Sequence, residues 1–192
     1  MKKYSLIGVA LLLALLLATA LLLRGGLPPR PNDLPPGGDF ILQSAAGPLD
    51  SKTLRGKVLL IFFGYTHCPD VCPASLAAGG QALNALSKEE RDKVRLLMIS
   101  VDPERDDLAH LQEYTGFFHP EMTGLTGSAD EIARLAGSFG AGYRKQAVRS
   151  DGSYAIDHTV STYVVGPDGK PAAVLALGTS PDKLLATIRQ LL

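Results

Sequence analysis

The chain lacks an excess charge of either sign: 19 Lys and Arg residues balance 19 Asp and Glu residues over 192 positions. A protein that holds nucleic acid through its electrostatic field needs a basic surplus, so no nucleic-acid partner is expected. Cysteine is nearly absent, with two residues at positions 68 and 72. One disulfide is therefore the upper limit, and a lipid-modified N-terminal cysteine is not expected. There is no Arg-rich, Ser-rich amphipathic leader of the organelle type. No self-similarity occurs at the periods of solenoid repeats. Disorder is also excluded for the bulk of the chain, because 46% of its residues are apolar.

Those apolar residues are unevenly spread. Residues 6–23 carry no charge and are built almost entirely from Leu, Ala, Val and Ile. As a helix the run is roughly 27 Å long at about 1.5 Å per residue, close to a hydrocarbon core of about 30 Å. Lys2 and Lys3 precede it, and the positive-inside rule keeps them in the cytoplasm. Residues 1–24 thus read as a cytoplasmic N-terminus with a single transmembrane anchor, the rest of the chain lying across a bacterial inner membrane, in the periplasm. A cleaved signal peptide competes, since Ala18-Thr19-Ala20 is an acceptable small-x-small site. Leu21, Leu22 and Leu23 continue the run past it, which favours an uncleaved anchor. Residues 25–38 hold five prolines and four glycines, a composition that packs no core and reads as a linker.

From residue 39 to 192 strand and helix patterns alternate. Residues 58–63 (VLLIFF) and 96–101 (LLMISV) are continuous apolar runs of the kind buried on both faces of a sheet. Helical patterns cover 74–86, weakened by Gly79-Gly80, and 106–118; a capping box at Ser128-Ala129-Asp130-Glu131 opens a third helix through Phe139. Strands at 160–165 and 172–177 flank the hairpin signal Gly166-Pro167-Asp168-Gly169, and Ser180-Pro181 opens a terminal helix. This order is that of an α/β, thioredoxin-like fold with an inserted helical unit.

Cys68 and Cys72 sit on the loop that leaves the first buried strand and enters the first helix, a usual place for function in open α/β sheets. Pro73 puts the helix start near Cys72, where the helix N-terminus favours thiolate. Such a pair closes as a disulfide or pinches a soft metal ion. A purely stabilising disulfide across so short a loop would constrain little of the unfolded chain. Structural zinc wants four ligands, and two thiols fall short of that.

The four histidines carry unequal weight. His67 adjoins Cys68 with its side chain expected to point away into solvent, and His110 and His119 have no assigned role. His158 stands just before the strand 160–165, on a loop that faces the cysteine loop in this topology. Thioredoxin-type oxidoreductases place a cis-proline there, yet no proline occurs from Ser150 to Gly166. The location offers His158 instead, which moves the reading from dithiol exchange towards a Cys2His metal set suited to Cu(I) and able to hold Cu(II). Asp157 is a candidate for orienting the ring or an ordinary loop carboxylate. In the segment 102–106, Asp106 or Asp107 reads as a helix cap and Arg105 as a local ion-pair partner. Asp102 is kept as a weaker candidate facing the cysteines.

Four stretches then carry a resemblance: Gly64-Tyr65-Thr66-His67-Cys68-Pro69-Asp70-Val71-Cys72-Pro73, Ser100-Val101-Asp102-Pro103-Glu104-Arg105-Asp106, Gly124-Leu125-Thr126-Gly127 and Asp157-His158. Together they resemble the Sco/SenC family, membrane-anchored copper-binding proteins of thioredoxin-like fold that take part in assembling cytochrome c oxidase. The resemblance covers nearly all of 39–192. It implies one copper per domain with Cys68, Cys72 and His158 as ligands, a donor chaperone upstream, and the copper-bearing subunit of the oxidase as acceptor. Asp107-Leu108 departs from the Thr-Pro common in the family, and Gly166 stands where Asp is frequent; neither touches a ligand. A metallochaperone, not an enzyme, is the leading expectation. A membrane-tethered thiol–disulfide reductase that keeps the acceptor's cysteines reduced is the alternative, and a peroxidase-like enzyme the third reading.

Overall fold

The structure, a computed structural model, describes residues 34–192. The anchor expected over 1–24 and most of the linker lie outside the described residues. Among the described residues no helix is long and apolar enough to cross a membrane.

An antiparallel hairpin of β1 (Ile41–Ser44) and β2 (Gly47–Asp50) opens the domain. There follow β3 (Val58–Gly64), α1 (Val71–Asn84), the single-turn α2 (Lys88–Arg91), β4 (Val94–Ser100), α3 (Leu108–Phe118), β5 (Met122–Leu125) and α4 (Ala129–Ser138). A ribbon of β6 (Tyr143–Lys145) and β7 (Ile156–His158) precedes β8 (Thr162–Val165), β9 (Pro171–Leu175) and α5 (Pro181–Arg189). The five-stranded sheet runs β5-β4-β3-β8-β9, with β3, β4 and β5 parallel and β8 and β9 antiparallel to their neighbours. This is the thioredoxin-like arrangement expected from the order of elements.

Strand β3 is the axis of the core, and all seven of its residues are buried. Its alternation divides the layers. Phe63 packs its ring against Phe139, just past α4, and against Tyr163 of β8, with centroids 6.0 and 5.8 Å apart. The opposite face, with Phe62 and Gly64, meets α1, which is flanked by α3 and α5. The glycines that weaken α1 as an isolated helix have a packing reason. A Cβ on Gly80 would sit 2.7 Å from the carbonyl oxygen of Phe118, and one on Gly79 would strike Leu96. The cost of glycine in a helix, about 1 kcal/mol, is accepted so that α1 can lie close to α3 and the sheet.

Helix α1 begins at Val71, three residues earlier than its apolar spacing suggests. Pro73 is then its third residue, where a missing N–H removes no intrahelical bond. Asp107 rather than Asp106 caps α3, accepting from the N–H of His110 at 2.8 Å. Both Ser128 and Ser180 cap as their sequence contexts predict. Strands β1, β2, β5, β6 and β7 were not legible in the pattern. Each has three or four residues, too few for an alternation to register, and β6 (Tyr-Arg-Lys) and β7 (Ile-Asp-His) are largely polar.

Candidate metal centre

Three side chains from three separate places meet above the end of β3. Cys68 comes from the turn after that strand, its N–H donating to the Tyr65 carbonyl at 3.2 Å. Cys72 is the second residue of α1, whose N-cap is Asp70. His158 is the last residue of β7 rather than part of a loop entering the next strand. The two sulfurs and one ring nitrogen all lie within 4.8 Å of one another, with Cys72 Sγ and His158 Nε2 3.4 Å apart. The other ring nitrogen, Nδ1, is 3.1 Å from the carbonyl oxygen of Thr159. A carbonyl only accepts, so Nδ1 carries the proton and Nε2 turns its lone pair towards the sulfurs. Orientation of the ring thus comes from backbone.

Both cysteines are free thiols and both are buried, Cys72 completely. Position at a helix N-terminus was expected to favour thiolate. For Cys72 burial outweighs it and, aided by Cys68 alongside, pushes the thiol well above its usual range. Cys68 lies two residues before the N-cap, outside the helix. The end of β3 approaches the Cys72 sulfur closely: a Cβ on Gly64 would sit 2.9 Å from it and 2.7 Å from the Phe62 ring. Tyr65 and Phe62 meet the His158 ring edge-to-face, with centroids 5.7 and 6.1 Å away. A shallow depression of about 360 Å³ opens onto Cys68 and His158 between Pro69, Val71 and Ile156.

The ribbon that ends in His158 is held by a polar latch. The Tyr154 hydroxyl donates to Asp102 Oδ1 at 2.7 Å, and Arg105 Nε donates to Asp102 Oδ2 at 2.5 Å. Arg105 also donates to the Tyr154 carbonyl at 3.1 Å and lies over its ring, 3.5 Å from the centroid. Lys145 of β6 reaches the same ring and pairs with Glu104 at 2.5 Å. Within the ribbon, the Ile156 N–H donates to the Tyr65 hydroxyl at 3.3 Å. Asp102 therefore faces Arg105 and Tyr154, buried at 3% exposure, and makes no hydrogen bond to the thiols or to His158. The exposed Asp157 carboxylate meets Arg144 and Gln146 across the ribbon, which hold it below the usual carboxylate range, while Thr159 holds the His158 ring. Asp106 is buried below the cysteine loop, accepting from the hydroxyls of Thr66 and Ser100 at 2.6 Å each and from the Thr66 N–H at 3.0 Å.

Two soft sulfurs and an imidazole nitrogen at this separation match metal–sulfur bonds of about 2.3 Å and metal–nitrogen bonds of about 2.0 Å. The donor set is that of a soft, low-coordinate ion, and among the described residues no cage of hard oxygens surrounds it. Tyr154, Gly64 and Thr66 were not legible as site residues. Gly64 alone had a signal, as a glycine closing an apolar strand, which marks a close approach.

What the fold and site define is a thioredoxin-like domain with a dithiol–imidazole centre. The family model described as SCO1/SenC matches residues 30–192, and the chain belongs to that family. It is 36% identical over 155 residues to the mitochondrial SCO2 homolog of Bos taurus, an alignment covering 80% of this chain and 58% of the bovine protein. It thus spans little more than half the length of that relative. Among solved structures, the copper-bound ScoI of Bradyrhizobium japonicum is 40% identical with a TM-score of 0.74, covering 81% of this chain and 99% of that one. BsSco, described as a member of the Sco family of cytochrome c oxidase assembly proteins and as having a disulfide switch, is 27% identical with a TM-score of 0.63, covering 82% and 93%.

Proposed function

We propose that this chain binds one copper ion through Cys68, Cys72 and His158 and delivers it to the copper-bearing subunit of cytochrome c oxidase during assembly. The observation that carries the reading is the convergence of two thiols and one outward lone pair within 4.8 Å; the copper-bound relative supports the choice of metal. Cys72 holds the ion from the core side, and His158 shares the open side with Cys68. Cys68 lines the open depression, so an incoming acceptor thiolate approaches from its side and displaces it by ligand exchange. A three-coordinate ion leaves room for that step. The chain acts as a carrier rather than an enzyme. Residues 6–23 anchor it in a bacterial inner membrane with the domain in the periplasm, where a donor chaperone loads it.

A second reading, reduction of the acceptor's cysteines, is supported by the pairing of two free thiols in one short loop and by the disulfide switch of BsSco. His158→Ala separates the two. In the full chain, copper retained after desalting is expected to fall to background in this variant, while reduction of a model disulfide proceeds at the wild-type rate. Undiminished copper in the variant overturns the three-ligand carrier. Loss of disulfide reduction with the imidazole would count against an independent reductase.

A further inference from the structure

The four histidines are not equivalent. His158 belongs to the centre described above, and the buried His119 spends Nδ1 accepting from the Glu121 N–H at 3.1 Å. The other two meet each other. His67 and His110 come from different elements, the cysteine loop and the first turn of α3, yet their ring centroids lie 6.1 Å apart. Both face solvent, His67 with 49% of its side chain exposed.

His67 is oriented in the way metal-binding histidines are. The single hydroxyl proton of Thr66 goes to the buried Asp106 carboxylate at 2.6 Å. Towards His67 Nδ1, 3.1 Å away, the same oxygen can only accept. Nδ1 therefore carries its proton, and Nε2 is left with a free lone pair outside the relay. Such a hydrogen-bonded chain, imidazole to hydroxyl to carboxylate, fixes the tautomer and the orientation of the ring. Asp106 Oδ1 itself lies 3.7 Å from Nδ1, adding negative charge behind the ring. Among the described residues no hydrogen-bond partner occupies His67 Nε2 or either ring nitrogen of His110. Two imidazoles bound to one ion through bonds of about 2.0 Å have centroids roughly 6 Å apart when they lie opposite each other. The observed spacing is on that scale.

We infer that His67 and His110 form a second, outward-facing metal site, a bis-imidazole site for Cu(II) whose remaining positions are filled by water. Imidazole and oxygen donors in a tetragonal arrangement suit Cu(II), which also binds such sites more tightly than the other first-row divalent ions. The site lies one residue before Cys68 and so holds copper beside the centre it is to enter. This loading role, unlike the site itself, rests on the function proposed above. In the transfer the two copper–imidazole bonds break, copper–sulfur bonds form, and the thiol protons leave to solvent. The oxidation state is unchanged.

The test uses the full chain carrying Cys68→Ser, Cys72→Ser and His158→Ala, which removes every ligand of the first centre, with circular dichroism confirming the fold. Titration with Cu(II) is expected to show one ion per chain with a nitrogen-coordinated electron paramagnetic resonance spectrum and no sulfur charge-transfer band. Adding His110→Ala, an exposed substitution, should weaken that binding by about tenfold or more. His67→Ala should do the same. Cu(II) binding undiminished by both substitutions overturns the site. In the chain with its thiols intact, His110→Ala should slow copper loading of the Cys68–Cys72–His158 centre severalfold while leaving the final occupancy of that centre unchanged; an unchanged rate overturns the loading role. Failure of the first centre would appear separately, as missing copper in the wild-type chain.

Discussion

Cys72 and His158 lie 3.4 Å apart, yet they are held by different parts of the molecule and by different forces. Cys72 is part of the core. It sits on the first turn of a 14-residue helix, fully buried, against a strand with seven buried residues. His158 ends a ribbon whose two strands have three residues each, and its position depends on a few polar contacts to Asp102, Arg105 and Glu104. The hydrophobic effect places the sulfurs, and directional hydrogen bonds place the imidazole. The first kind of support is distributed over many contacts; the second is concentrated in a few that single substitutions remove. For the carrier role proposed above this division is useful. Cys72 is fixed, and the imidazole side is the one whose attachment can be loosened without unfolding the domain.

The comparison can be broken most severely from the thiol side. Cys72→Ser removes the deepest ligand, and copper carried by the full chain through gel filtration is expected to drop from stoichiometric to background. Retention would mean that the buried sulfur is packing only. Gly64→Ala leaves all three ligands in place but puts a methyl 2.9 Å from the Cys72 sulfur. Overpacking of this kind costs about 1–3 kcal/mol of stability, and displacement of the sulfur should weaken copper binding as well. Urea melts beside competition titrations measure both, and unchanged affinity would show that the strand end is not what seats the sulfur.

On the imidazole side, Tyr154→Phe keeps the ring under Arg105 and removes the hydroxyl bond to Asp102. The expected loss of stability is about 1 kcal/mol. Copper affinity should fall by roughly tenfold, the low end of what outer residues of metal sites contribute. NMR of the His158 ring should show added motion. If affinity falls without that added motion, the latch is not what positions the ring. The smallest effect is expected from Asp157→Asn. Its carboxylate is exposed and turned to Arg144 and Gln146, so copper affinity should stay at the wild-type level. A marked loss would give Asp157 the orienting role that Thr159 holds in this geometry.

The same division decides how much was legible in the sequence. The thiol side could be read directly: residues 58–63 are a continuous apolar run, the cysteines follow at once, and Pro73 and the helical spacing after it mark the turn into α1. The thiolate expected from the helix terminus could not be read correctly, because full burial of Cys72 depends on residues distant in sequence. His158 was found from topology, as the group standing where another thioredoxin-like protein has proline. The element that carries it was missed, since Lys145 and Tyr154 are polar and nine positions apart, and no local period connects them. Asp102 was singled out for the wrong neighbour. Its type and place suggested the cysteines, whereas the chain folds so that Arg105 and Tyr154 reach it first.

Taken by itself, the order of residues determined the α/β class, the thioredoxin-like succession of elements, the anchor-like run at residues 6–23 and the three donors of the centre. Those features are local or follow from chain order, so periodicity, turn chemistry and donor type suffice to read them. The tertiary structure alone decided which carboxylates serve the centre, that Thr159 rather than Asp157 turns the imidazole, and that His67 and His110 meet. The physical reason is the range of the interactions. Apolar burial is written along each element as a pattern, while a hydrogen bond between residues 52 positions apart, as between Asp102 and Tyr154, exists only once the chain has closed around it.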